Sequence, residues 1–163
     1  MNKPQSENIT NKILVEFTKT IEMFGFTPLE SRLFAYLYLA DKPMTLDDMA
    51  EALGKSKTAM STSIRTLADQ NLVTRVWKKG VRKSLYKAHT QLFKAFMVSY
   101  MNKWVEAAHQ QKSSFLEIEQ QIKEMKDSKA VWIQGMQVTE ERLLQIIEFH
   151  QKMEDLFRDM KRD

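Results

Sequence analysis

The chain has no cysteine. That inventory excludes disulfide scaffolds, thiolate zinc sites, cysteine nucleophiles and thiol-based redox sensing. Four glycines and three prolines in 163 residues are too few for a loop-rich or hairpin-rich architecture, so a mainly α fold of long helices is expected. Gly25, Gly54, Gly80 and Gly135 are also too far apart to form a phosphate-cradling loop of the dinucleotide or Walker type. The longest apolar run, Leu33 to Ala40, falls far short of the roughly 20 residues that span a bilayer. The polar stretch Met1 to Thr10 lacks the apolar centre of a signal peptide, and a cytoplasmic location with no membrane partner is expected. His89, His109 and His150 lack metal-motif spacing, and no metal or other cofactor is expected. The remaining metal possibility is a sensor pairing His109 or His150 with Glu106 or Glu154. His150 occupies a heptad core position and reads as a satisfied interface histidine instead.

What the chain does have is a concentrated positive charge. Its formal total is only +4, yet Gly54 to Thr90 holds nine bases (Lys55, Lys57, Arg65, Arg75, Lys78, Lys79, Arg82, Lys83, Lys87) against the single acid Asp69, a net of +8. The remainder carries −4. A basic block in an otherwise acidic chain is what contact with a phosphate backbone requires, because neutralising phosphates releases their counterions.

The elements around this block can be read from spacing. Ile9, Ile13, Phe17, Ile21 and Phe24 recur at three- and four-residue steps, giving an amphipathic helix from Glu7 to Phe24 that Gly25 ends. Thr27-Pro28-Leu29-Glu30 joins an N-cap, a proline at the first helical position and a capping-box glutamate. The helix that follows, to Ala40, is apolar nearly all round and should be buried. Thr45 caps a third helix with Asp47 and Asp48 complementing its dipole, and Gly54 stops it. Ser56 caps a fourth helix reaching Gln70. Its inner stripe is Met60, Ile64 and Leu67, and its outer face presents Lys57, Thr58, Ser61, Thr62 and Arg65. Two short helices joined at a glycine, the second faced with small hydroxyls and bases, make a helix-turn-helix suited to a major groove. Val73 to Trp77 and Arg82 to Lys87 then read as strands around a Lys78-Lys79-Gly80-Val81 tip, a charged wing.

These segments (Gly25-Phe26-Thr27-Pro28, Pro43 to Met49, Gly54 to Thr62 and Val76 to Lys83) resemble the GbsR-type branch of the MarR-like winged-helix regulators, densely over residues 25–88. The resemblance implies a homodimeric bacterial repressor of double-stranded operator DNA. Residues 57–66 would be the reading face, and the wing, with Arg82 at or near its tip, would lie along or in the minor groove. Lys55, Ser56, Lys57, Thr58, Ser61, Thr62, Arg65, Lys78, Lys79, Arg82 and Lys83 are the expected DNA-binding set. Members of this branch govern glycine betaine synthesis and precursor uptake, so the resemblance also implies osmoregulation with choline as the sensed ligand.

Residues 1–90 are expected to form the winged-helix domain and residues 91–163 a helical dimerisation region. Met97, Met101, Trp104, Ala108, Gln111, Phe115, Ile118, Ile122 and Met125 alternate by four and three, and Leu143, Ile146, His150, Met153, Phe157 and Met160 do so again after a break near Ser128 to Thr139. The small winged-helix body offers little surface to cover them, which favours an intermolecular bundle over packing within one chain. A quaternary ammonium is recognised by aromatic faces. Phe34 with Tyr38, and Tyr100 with Trp104, stand four apart on helices and are the candidate ligand residues, although the same spacing also serves a helix core. Two other readings fit the block: a ligand-independent architectural DNA-binding protein, and a helical adaptor that binds an acidic protein.

Overall fold

Thr27 and Glu30 cap each other reciprocally. The Thr27 hydroxyl accepts from the Glu30 amide at 3.2 Å and the Glu30 carboxylate accepts from the Thr27 amide at 2.8 Å. Thr45 and Asp48 repeat the device at 3.1 and 3.0 Å, and the Ser56 hydroxyl accepts from the Ala59 amide at 3.1 Å. Three consecutive helices therefore start where local side-chain chemistry satisfies amides that have no intrahelical partner.

The computed structural model describes residues 3–127 and 136–162. Its elements are α1 (Lys3–Glu22), α2 (Pro28–Ala40), α3 (Leu46–Leu53), α4 (Lys57–Asp69), β1 (Val73–Val76), β2 (Leu85–Ala88), α5 (Leu92–Asp127) and α6 (Met136–Arg162). They form two compact units, Met1–Ser99 and Tyr100–Asp163, divided within α5.

In the first unit α2 is the central helix, as its all-round apolarity requires. Leu33, Phe34, Ala35 and Leu37 are wholly buried among Ile21 of α1, Met49 of α3, Met60 and Leu67 of α4, and Phe96 of α5. Because Ala95, Phe96 and Ser99 are buried, the first two turns of α5 belong to this unit. Of the expected α1 stripe, Ile9 and Ile13 are exposed; α2 is only 13 residues long and reaches just part of the 20-residue α1. Phe24 lies beyond the end of α1 and still packs on Phe96, ring centroids 5.0 Å apart.

The wing differs from its sequence reading. β1 and β2 are antiparallel, with Val73 opposite Ala88 and Val76 opposite Leu85. Pairing therefore starts at Leu85 and not at Arg82, and residues 77–84 form a long basic loop. Met44 forms an isolated bridge to β2, exchanging two backbone hydrogen bonds of 2.9 Å with Tyr86. This ties the α2–α3 connection to β2.

The second unit is an antiparallel helical hairpin. Trp104 stacks near Phe157 at 6.0 Å, Phe115 near His150 at 5.4 Å, and Lys126 pairs with Glu140 at 2.6 Å. Half of the expected intermolecular seam, including Ala108, Phe115, Ile122, Leu143 and His150, is thus used within the chain. A helix 36 residues long presents enough apolar width to serve an intrachain neighbour and keep a second stripe. That stripe remains exposed at Ile118 on α5 and at Ile146, Phe149, Leu156 and Met160 on α6. The expected break between these helices falls partly on 128–135, outside the described residues.

Candidate nucleic-acid interface

α3 and α4 are joined by three residues. Gly54 closes α3 at φ +64°, its amide bonded to the Ala50 carbonyl. A side chain there would be strained by its own backbone. The turn sets the outer face of α4 in water: Lys57, Thr58, Thr62 and Arg65 are exposed, as are Lys55 and Ser56 before it, while Ser61 is half-buried. Met60, Ser63, Ile64 and Leu67 face inward. The hydroxyls are partly committed, since Ser56 serves as the cap and Thr62 donates to the Thr58 carbonyl at 3.1 Å.

Lys78, Lys79, Arg82 and Lys83 are all exposed on loop 77–84, which Gly80 turns at φ +82°. The structure links this loop to α4 through a residue that the sequence suggested only as a dipole partner. Asp47, in the first turn of α3, accepts from Lys83 at 2.7 Å and lies 3.5 Å from Lys57. The hydrogen bond from Lys83, then the charge of Lys57, holds the Asp47 carboxyl below its usual range, and the same bond raises Lys83. No local spacing could reveal this contact, because Lys83 is 36 residues away. Lys55, Arg65, Lys78, Lys79 and Arg82 make no ion pair among the described residues. The result is one face of hydroxyls and mostly uncompensated cations, side-chain types that can contact phosphates and base edges.

The four candidate ligand aromatics fall into two pairs. Phe34 and Tyr38 stack at 6.2 Å in the first unit, and Tyr100 and Trp104 meet at 6.0 Å in the second. Phe34 has no exposed surface; Phe17, Tyr38 and Phe96 surround its ring, so it is a core residue with no face open to a ligand. A cleft of about 280 Å³ lies nearby, walled by Phe17, Ile21, Phe24, Phe93 and Phe96, and a wider one of about 610 Å³ runs past Phe17, Glu16 and Tyr38. Sequence spacing marked Phe17 and Phe24 as part of a stripe and could not show the space beside them.

The second unit holds a charge cluster that the sequence did not disclose. The Glu154 side chain is fully buried and accepts from His109 at 2.8 Å, Lys112 at 2.5 Å and Arg158 at 3.1 Å. The hydrogen bond from Lys112 is the main cause of its lowered pKa. His109 and Glu154 do meet, as the metal-sensor possibility required. Three cationic or potentially cationic partners occupy the carboxylate, however, and no group of three or more metal-ligating side chains exists among the described residues. His150 departs from expectation too: its Nδ1 is buried without a hydrogen-bond partner, and the ring is held by Phe115 and Phe149.

Glu154→Gln should cost the hairpin about 1.5–3 kcal/mol, because water can enter a two-helix unit more easily than a deep core. Since folding lowers this carboxyl's pKa, its contribution is complete above the unfolded value of about 4.5 and is lost as pH falls below it. Thermal melts should show a gap between wild type and variant at neutral pH that closes in acid. A gap that persists in acid would assign the loss to packing.

A family model described as MarR family matches residues 24–78. The HTH-type transcriptional repressor OpcR of Bacillus subtilis (strain 168) is 27% identical over 119 residues, 73% of this chain and 64% of its own length. The HTH-type transcriptional repressor GbsR of the same organism is 33% identical over 98 residues, 60% of this chain and 54% of its own length. The chain thus matches between about half and two thirds of these relatives' lengths. A crystal structure of a protein described as a transcriptional regulator aligns with a TM-score of 0.63 at 18% identity, covering 93% of this chain and 95% of that one. At that identity the likeness is one of fold. No helix among the described residues is long and apolar enough to cross a membrane.

Proposed function

We propose that the chain is a MarR-like winged-helix protein, as its similarity to that family over residues 24–78 suggests, and that it is a dimeric DNA-binding repressor of transcription and not an enzyme. The observation that carries this reading is the exposed hydroxyl and basic face of α4, set beside the basic loop 77–84 by the Asp47 contacts to Lys57 and Lys83. α4 would enter a major groove, with Ser61 and Arg65 toward base edges, while Lys55, Lys78, Lys79, Arg82 and Lys83 take phosphates. The exposed α6 stripe would join two copies, so that both recognition helices reach half-sites one helical turn apart. The regulated genes would serve uptake or synthesis of osmoprotectants, and choline or a similar quaternary ammonium would be the effector. What supports this finer reading is the similarity to GbsR together with ring surface at half-exposed Tyr38 and exposed Tyr100 and Trp104.

The test is anisotropy on two duplexes, one enriched by the wild-type protein from a random pool and one scrambled. Ser61→Ala and Arg65→Ala should each lose about 1–3 kcal/mol on the enriched duplex wherever the side chain reads a base, and less on the scrambled one. Equal losses on both would assign these side chains to phosphate. Failure of the wild-type protein to enrich any sequence would reject the repressor reading.

A further inference from the structure

Trp77 is 85% exposed, the most exposed large apolar side chain among the described residues. It directly follows β1 and opens loop 77–84. Arg75, two residues earlier and hence on the same side of the strand, holds its guanidinium 5.7 Å from the indole centroid. This cation–π contact gives the ring a preferred pose while leaving most of it in water. From Arg75 to Lys83 there are five cations and no acid. A large flat apolar group among these cations, of which all but Lys83 make no ion pair among the described residues, fits a partner that is polyanionic and also offers flat apolar surfaces. Nucleic acid meets both requirements, through its phosphates and through its sugars and base faces.

The position of the loop selects among nucleic-acid surfaces. Lys83 of the loop and Lys57 at the start of α4 share Asp47, so the loop stays beside the helix proposed to fill a major groove. A segment beside such a helix meets the flanking backbone and the adjacent minor groove. Resting on the DNA-binding reading above, we propose that Trp77 is a minor-groove wedge, pressing its indole against deoxyribose and a base step while Lys78, Lys79 and Arg82 hold the phosphates on either side. An apolar wedge of this kind partly unstacks the step and bends the duplex toward the major groove. It therefore favours a pyrimidine–purine step at a position outside the contacts of α4.

The experiment uses the whole 163-residue chain as wild type, W77F and W77A with the enriched duplex. W77A should bind about tenfold more weakly, in line with the loss of one stacked contact, whereas W77F should stay within about threefold of wild type because it keeps a ring. The slope of log affinity against log salt should be the same in all three, since no phosphate contact is removed. Duplex should quench a component of wild-type tryptophan emission that W77F lacks, and energy transfer between the duplex ends should report a smaller bend with W77A. Wild-type affinity in W77A, or emission unchanged by duplex, would overturn the wedge while leaving the repressor reading intact. Quenching by phosphatidylserine vesicles and not by duplex would overturn it in favour of a membrane contact. A wild-type protein that binds no duplex would reject the repressor reading itself.

Discussion

Glutamate at both Phe149 and Leu156 should convert the protein to monomers and reduce its affinity for operator DNA by about 10²–10⁴, the avidity lost when two linked sites become independent. Ile146, Phe149, Met153, Leu156 and Met160 follow a three-four alternation along α6. Phe149 and Leu156 are 58% and 57% exposed, while Leu143 and Glu154 are buried and His150 and Phe157 face α5. One side of α6 is satisfied within the chain and the other is not. Burying a Phe or Leu stabilises by about 1.5–3 kcal/mol, and two-fold symmetry would use each side chain twice. Four burials lost, and four charges placed in a dry interface, are enough to dissociate a nanomolar dimer. Sedimentation should show monomers with an almost unchanged circular dichroism spectrum, because the ring and ion-pair contacts between α5 and α6 run through Trp104 with Phe157, Phe115 with His150, and Lys126 with Glu140. Glutamates at Phe115 and Ile122 should instead open the hairpin and lower helicity. A dimer that survives Phe149→Glu with Leu156→Glu has its interface elsewhere.

Phe34→Ala should destabilise the first unit by about 3–5 kcal/mol, a large part of the stability of a domain this size. The ring is completely buried and meets Phe96 at 5.1 Å, Tyr38 at 6.2 Å and Phe17 at 6.3 Å. Its removal leaves a cavity bordered by three elements, α1, α2 and α5, that cannot collapse together. Urea denaturation should show a lower midpoint with an unchanged slope. Phe34→Leu keeps most of the volume and should cost far less. It also separates the two roles the sequence left open for this ring. Calorimetric titration with choline should give the same heat for Phe34→Leu as for wild type, because a residue with no exposed surface offers a ligand no face. A selective loss of choline binding in a stably folded Phe34→Leu would return the ring to the ligand site.

The sequence by itself determined the elements whose signals are local. The three caps at Thr27, Thr45 and Ser56, the stop at Gly54 and the inner stripe of α4 all arise from interactions within one or two helical turns, so residue spacing contains them. The basic block, on which the proposal of a nucleic-acid partner rests, is likewise a property of composition along a short stretch. Tertiary structure decided whatever depends on which surfaces meet. Asp47 became the link between α4 and the wing loop only because folding brings Lys83 to it across 36 residues, and Glu154 became a buried carboxylate only because α5 supplies Lys112 and His109 opposite it. Phe34 was indistinguishable from a ligand aromatic by spacing, since core and ligand box use the same side chains. Its burial depends on α1 and α5 closing over α2. The heptad pattern named the apolar positions of α5 and α6 without saying which neighbour each would face, because periodicity fixes the direction of a side chain around its own axis and not the identity of the helix that packs there.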